Sequence, residues 1–505
     1  MPRTTTALLL AALALAPLAT MAQKLITYEA GLGRRDKQLP DTWILCQEVK
    51  AEHEGMTLYA DSALLNTARN DFAAYDDIEI MLSDTTFIYG SELYYDGNSR
   101  TVEIWDDTVI FIDGGTVLKT DHLTFDRNAN KAYYDTWGHT TNGADTLDSR
   151  IGIYDATRRQ ALIYDQVLLR DSASRMETDT LLYRVDDATA TFQSPTHIYS
   201  DSTTLYSEKG TYHTKQRYAH STKRSMVRTG SRILACDTLH YYENEEYGRA
   251  LGNVRLFDSV NNVACLGRYG ETDQRRHSSF VTDSAVVVYV NERDTLFMHA
   301  DTIHVANNER REVERIRAHH GVRLYRHDVQ AICDSAAFLL PDSLLYLHRN
   351  PTLWQNAQQC TADTILLHTS AHGVRQADLN GHCFVAERID AEKYNQIKGN
   401  DARVFFRDNE PTYADILGNA EMVYYITEET ANGGNALMGV NVGAGSDMRI
   451  YFRSRQPSRV VTYLQPDMHT YPPAQLPADK RRLQGFSWRD SQRPHNREEI
   501  FAPTR

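Results

Sequence analysis

The sequence has no excess of positive charge: 67 Asp and Glu face 54 Lys and Arg, a formal net charge of −13. Nucleic-acid binding needs clustered Lys and Arg to displace counterions, so that class is excluded. An anionic lipid would have to be held by its tails, not by long-range attraction. Cysteine is sparse. Cys46, Cys236, Cys265, Cys333, Cys360 and Cys383 form no C-x-x-C pair, so the usual zinc and redox motifs are missing. They read as small buried apolar residues, with a Cys333–Cys360 bridge open if neighbouring repeats stack. Catalytic signatures are missing too. His53-Glu54 lacks the second His of a zinc-protease helix, and His319-His320 is a lone pair on a strand. No G-x-S-x-G elbow is present. The Gly-rich stretch 436–446 does not match a dinucleotide fingerprint, and no helix follows it. These absences predict no enzyme, no cofactor and no metal. Beyond residue 22 no segment is apolar enough to span a membrane as a helix, which takes roughly 20 residues.

The first 22 residues are what the chain does have in apolar sequence. Arg3 gives a positive start, an Ala/Leu run broken only by Pro17 follows, and Thr20 and Ala22 stand at the −3 and −1 positions of a cleavage site. This is the pattern of a secretory signal peptide. It predicts export to the periplasm and a mature chain starting near Gln23. Hydrophobic residues make up 41% and charged residues 24%, the balance of a folding chain. Tyr outnumbers Phe, 29 to 15, which suits strands that are half buried and half wet.

One pattern recurs along the chain: apolar, any, Ala/Thr/Cys, Asp, Ser/Thr, apolar, any, Tyr/Phe/Leu. Clear copies lie at 58–65 (LYADSALL), 118–125 (LKTDHLTF), 176–183 (METDTLLY), 234–241 (LACDTLHY), 298–305 (MHADTIHV), 331–338 (AICDSAAF) and 360–367 (CTADTILL). Weaker copies centre on Ser91, Arg150, Glu208, Gly267 and Asp401. Most anchors follow one another by 29 or 30 residues, and the interval loosens after residue 267. A second pattern lies between anchors, as in 250–257 (ALGNVRLF) and 318–325 (AHHGVRLY): a turn signal, then alternating apolar residues. A steady interval of this size marks a repeat architecture. Period-2 alternation with Val, Ile, Thr and Tyr makes the elements strands, about two per repeat, and excludes helical solenoids.

Around each anchor the apolar positions fall at Asp−3, Asp−1, Asp+2 and Asp+4. Strict alternation would put the two pairs on opposite faces. A bend at Asp-Ser/Thr turns both pairs toward one interior, and short polar side chains suit such a corner. Asp61, Asp121, Asp179, Asp237, Asp301, Asp334 and Asp363 are therefore expected as structural corners. The apolar columns hold Leu118, Met176, Leu234 and Met298; Leu123, Leu181, Leu239 and Ile303; and Phe125, Tyr183, Tyr241, Val305 and Phe338. Columns at this spacing fit either a filled core or a cleft open to a ligand. Recurrence of Asp once per repeat also argues against a glycosidase, whose carboxylates form one cluster with a set separation.

The anchor A-D-[ST]-[LI]-x-[YV] followed by a-x-G-N-V-x-[LV], closest at 298–305 and 250–256, resembles the OstA-like family over residues 45–425. That family includes the periplasmic lipopolysaccharide-transport protein LptA and the N-terminal domain of LptD. The resemblance implies an all-β, elongated, repeat-built β-jellyroll: a folded double sheet of about twelve two-strand repeats of roughly 30 residues. It implies that the named columns line a groove for lipopolysaccharide acyl chains or a similar lipid. It also implies joining to other transport proteins, or to copies of itself, through unpaired edge strands. The rival reading is a secreted or surface β-solenoid that binds glycan or acts as an adhesin. The expected organisation is a signal peptide at 1–22, the repeat domain at 23–425, and capping strands with a Pro-rich tail at 426–505.

Overall fold

A computed structural model describes residues 24–502, apart from residues 36, 39, 291–293, 311, 371–372, 409 and 430–434. The expected signal peptide lies outside the described residues. Among these residues there are strands and four short 3-10 turns but no α-helix. They fall into two compact units, one reaching residue 172 and including 182–186, the other holding 173–181 and the chain from 187 onward.

In each unit successive strands run antiparallel, so the 29–30-residue period is one outgoing and one returning strand. Met56–Asn66, for example, pairs with Thr42–His53 on one side and Asp71–Ser83 on the other. The anchors sit at the middle of one set of strands. The returning strands carry two extra-wide residues opposite them: Cys46 pairs with Ser62 and Val49 with Ala60, leaving Gln47 and Glu48 facing Asp61. Both bulge residues are left-handed, with φ of 68° and 51°. Asp76-Asp77, Asp165-Gln166, Gly252-Asn253, Asp283-Ser284, His320-Gly321 and Gly381-His382 repeat the device. Non-glycine residues enter this region at a cost of about 1–2 kcal/mol. The cost is offset where the anchor N–H reaches the first bulge carbonyl, as from Asp237 to Gly252 at 3.0 Å and from Asp363 to Gly381 at 2.9 Å. The bend keeps Leu58, Ala60, Ala63 and Leu65 all buried, so both legs of one strand face one interior.

The repeats are also locked at their outer turns. Four-residue turns end in a left-handed residue, and its carbonyl accepts the first N–H of the next stacked turn. In one unit Gly97 donates to Asn70 (3.0 Å) and Ala156 to Asn130 (3.1 Å). In the other, Thr214 donates to Ala188 (3.1 Å) and Gln274 to Glu246 (3.0 Å).

The ladder does not break at residue 425. Asn435–Arg453 pairs along the length of Glu410–Glu429, and Gln456–Tyr463 and Asp467–Tyr471 then pair with its two halves. Ser446 makes the anchor bond to Leu464. Gly439, Gly443 and Gly445 erase the alternation by which this strand would otherwise be read. The tail beyond Tyr471, expected as part of a cap, first packs Leu476 against Val423, Tyr425 and Val440 of the last strands. It turns back across a face of its unit, because its Phe486 and Trp488 find Tyr394 there, at ring-centroid distances of 5.0 and 5.1 Å.

All six cysteines are unpaired, so Cys333 and Cys360 form no bridge. Burial pushes the thiols of Cys236, Cys265, Cys333, Cys360 and Cys383 up to about 12. We expect these five to resist a thiol reagent at pH 8 in the native protein and to react on denaturation, as read by colorimetric titration. A Cβ on Gly252 or Gly381 would lie 2.4 or 2.2 Å from the facing Asp carboxylate, at φ of +71° or +74°. Gly252→Ala and Gly381→Ala should each cost more than about 1 kcal/mol in urea unfolding, whereas Gly115→Ala, with open space around it, should be near neutral.

Candidate functional site

The open side of each bent strand pair is closed by the residue four after the anchor. In the unit reaching residue 172 this position holds Leu65, Tyr95, Phe125, Tyr154 and Tyr183. Phe125 meets Phe111 of the opposite leg at a centroid distance of 5.8 Å. The Tyr95 hydroxyl bonds His53 Nδ1 at 2.6 Å and accepts from Arg127 at 2.8 Å. Tyr154 donates to Asp113 and Tyr183 to Asp145, both at 2.6 Å. Each partner stands near the tip of the other leg, so each ring ties two tips together. Ala132 and Ala161 lie beside Tyr154 in register, and these small neighbours leave room for the ring. In the other unit Tyr212, four residues after the Glu208 anchor, holds the equivalent place, 3.0 Å from Ser174 Oγ, between Ala190 and Ala219. Burial raises the hydroxyl pKa of Tyr95 and Tyr154, the latter helped by the Asp113 carboxylate. Burial lifts Tyr134, bonded to Ser149, to about 12.

The interior behind these rings is filled. Leu118, Leu123 and Phe125 are buried. The hollow beside Leu147, Tyr154 and Tyr183 has a volume of about 10 Å³, no more than one water needs.

After Tyr241 the row loses its large side chains for four strands, before Ile316 and Phe338 restore them. The same row continues through Gly248, Thr272, Ser279 and Val305 in successive strands. A cavity of about 380 Å³ opens there, lined by Leu234, Tyr241, Leu256, Val263, Cys265 and Val305. A second, of about 430 Å³, is lined by Met298, Leu324, Ala331, Phe338, Leu353 and Leu367. Val260 and Asn261 border both, and Val260 is 65% exposed. The volumes fall in the range of small-ligand sites, about 300–1,000 Å³. The polar lining is mixed in sign, with Arg232, Asp258, Arg310 and Glu312 at the first cavity and Asp294 and Arg326 at the second. Arg232 lies 3.6 Å from Asp258, and Arg326 lies 3.9 Å from Asp294.

The structure thus divides the residues expected to line a groove. Leu234, Tyr241, Val305, Met298 and Phe338 border these two cavities. Leu118, Leu123, Phe125, Met176, Leu181, Leu239 and Ile303 are packed in filled interior, and Tyr183 borders only the 10 Å³ hollow. The residues two after each anchor, such as Leu123 and Ile303, sit next to the corner, where the legs converge. Thr272, Ser279, Leu324 and Leu353 were not singled out from sequence. Three of these lie on returning strands, and Thr272 follows a weak anchor. Their alternation with outward residues was the available signal.

The corner Asp residues are placed together with the bulges. Asp237 accepts from Asn253 at 2.8 Å, Asp363 meets His382 at 2.9 Å, Asp334 accepts from Arg349 at 3.0 Å, and Asp121 accepts from Thr136. Asp61, Asp179 and Asp301 are exposed at the same place in their strands. Among the described residues one group has a spacing that could hold a metal ion: Asp294, His327 and Asp328. Arg326 bonds both oxygens of Asp328, at 2.5 and 3.1 Å, so protein charge already answers that carboxylate.

A tyrosine whose pKa is raised in the folded state stabilises fully below its unfolded value, near 10, and loses that contribution as pH rises through the folded value. We expect urea stability to fall above about pH 10. Tyr154→Phe should flatten that fall while lowering neutral-pH stability by about 1–3 kcal/mol, because buried Asp113 loses its shortest hydrogen bond and keeps only Thr86 at 3.3 Å and Arg159 at 3.5 Å.

The family model for OstA-like protein matches residues 25–179, a shorter span than the motif resemblance covers. No curated protein matches. Among solved structures, the chain is similar to LptH of Pseudomonas aeruginosa, described as the LptA-homologous periplasmic component of its lipopolysaccharide-transport device. The two are 12% identical, the match covers 28% of this chain and 95% of that one, and the TM-score is 0.22. Residues 25–179 of this bent, antiparallel repeat protein are OstA-like.

Proposed function

We propose that the chain is a periplasmic component of lipopolysaccharide transport that shelters acyl chains in the interior between Val227 and Val374. The observation that carries this is the change along the tyrosine column. Where rings tie the legs together the interior is full; where the row becomes Gly248, Thr272, Ser279 and Val305 the first apolar cavity opens, and the second adjoins it at Val260 and Asn261. The OstA-like match over residues 25–179 supports a lipopolysaccharide-transport reading. Mixed-sign polar groups around the cavities fit a ligand held by its tails. Among the described residues, Leu32–Arg35 in one unit and Gln456–Tyr463 in the other each pair on one side only, which suits edge-to-edge joining with transport partners or a second copy. The chain has no catalytic part in this reading.

Glycan binding is favoured by one observation: the outer face carries Tyr218 beside Tyr242, centroids 4.7 Å apart, with Tyr247 next to them. These rings turn much of their surface to each other.

The test is a photoreactive amino acid at Leu234, Met298 or Val305 in cells that make lipopolysaccharide. Leu123 and Phe125 serve as filled-core controls and Tyr242 as an outer-face control. Lipopolysaccharide adducts confined to the first three positions are expected. Adducts at none of them in folded protein would reject the groove, and adducts only at Tyr242 would favour the glycan reading.

A further inference from the structure

The tail beyond Tyr471 is held in an unusual way. It joins no ladder over 472–501. Instead, buried side chains on the outer face of the sheet grip its main chain. Gln396 donates to the Arg481 carbonyl and accepts from the Leu483 N–H, both at 2.9 Å. Gln359 does the same with Ser487 and Arg489, both at 2.7 Å. Each amide thus imitates a strand neighbour over one two-residue step. Gln330 accepts from Arg493 Nε at 2.7 Å, and Arg323 donates to the carbonyls of Gln492 and Glu499 at 2.9 and 3.2 Å. Gln396, Gln359, Trp354 and Gln330 lie in one cross-strand row, with Ala386 between the first two. Trp354 is 0% exposed although its row faces away from the interior; its row neighbours Gln330 and Gln359 both hold the tail.

This row stands directly behind the second cavity. Leu353 pairs with Ala331, one residue along from Trp354 and Gln330, and both line that cavity. Leu324 and Met298 line it too, while their neighbours Arg323 and His299 face outward against the tail, His299 touching Phe501 at a centroid distance of 5.0 Å. The wall is therefore thinly packed on its inner side and braced on its outer side. The brace is not perfectly satisfied: the indole N–H groups of Trp354 and Trp488 are buried without an acceptor, and water would supply one if the tail lifted.

We propose that residues 478–501 are a latch over the back of the second cavity's wall, and that lifting it loosens the strands at 298–300, 322–326, 329–333 and 352–355 and admits an apolar chain. The proposal rests on the groove reading for what is admitted, but not for the brace itself.

The experiment uses the full chain carrying Gln359→Ala with Gln396→Ala. Hydrogen exchange is followed by mass spectrometry, and uptake of the fluorescent fatty acid cis-parinaric acid by stopped flow. We expect exchange of the tail and of 329–333 to quicken by about tenfold, and fatty-acid uptake to quicken with them. Gly115→Ala, outside both the latch and the cavities, should leave exchange at 329–333 unchanged. Faster exchange of the tail with unchanged exchange of 329–333 overturns the latch. Faster exchange of both, with no fatty acid bound by either protein, supports the brace and rejects the groove. If the double variant does not fold, a protease site placed between Tyr471 and Leu476 and cut in the folded chain releases the tail for the same readings, which are judged in the same way.

Discussion

Everything in this fold depends on the corner, where each strand must turn at the same height as its neighbours. Two left-handed residues in the returning strand face one anchor in the outgoing strand, and the anchor N–H is bonded to the first of their carbonyls. This fixes register twice per repeat, since a slip of one residue would move the whole apolar set to the other face. The stacked outer turns repeat the constraint at the strand ends. Between them, corner and turn leave each leg about five residues, enough for two inward side chains and little else.

With so short a leg, what happens at the open side decides whether the interior is solid. Tyrosine is long enough to cross from one leg to the tip of the other and polar enough to be held there. Tyr95, Tyr154, Tyr183 and Tyr212 do this with partners as different as His53, Asp113, Asp145 and Ser174. Their rings fill the space and their hydroxyls close it. The stretch with Thr272, Ser279 and Val305 has neither the volume nor the reach, and empty space follows directly.

Much of this was legible from sequence. The period, the strand class and the bend at Asp61 or Asp237 follow from spacing and alternation, because the anchor side chains are chemically alike. The facing bulges were not legible. Gln47-Glu48, Arg349-Asn350 and Leu464-Gln465 share a backbone conformation but no side-chain chemistry. The location of the cavities escaped as well. It depends on a row that crosses strands, and the weak Gly267 anchor puts Glu271, not Thr272, four residues on. The latch could not be read at all, since Gln359 and Gln396 meet Arg489 and Leu483 only after the sheet exists.

The pairing of unlike corners has a consequence for how such a chain can change in length. An outgoing strand offers an N–H at its corner, and a returning strand offers the carbonyl that receives it. Duplicating or deleting a whole 29- or 30-residue block preserves this complementarity. Losing a single strand would set two donors side by side and reverse the chain's direction from there on. Growth and shortening of the gene are therefore quantised in two-strand steps, and intervals of odd length, such as those after residue 267, must be absorbed in the turns.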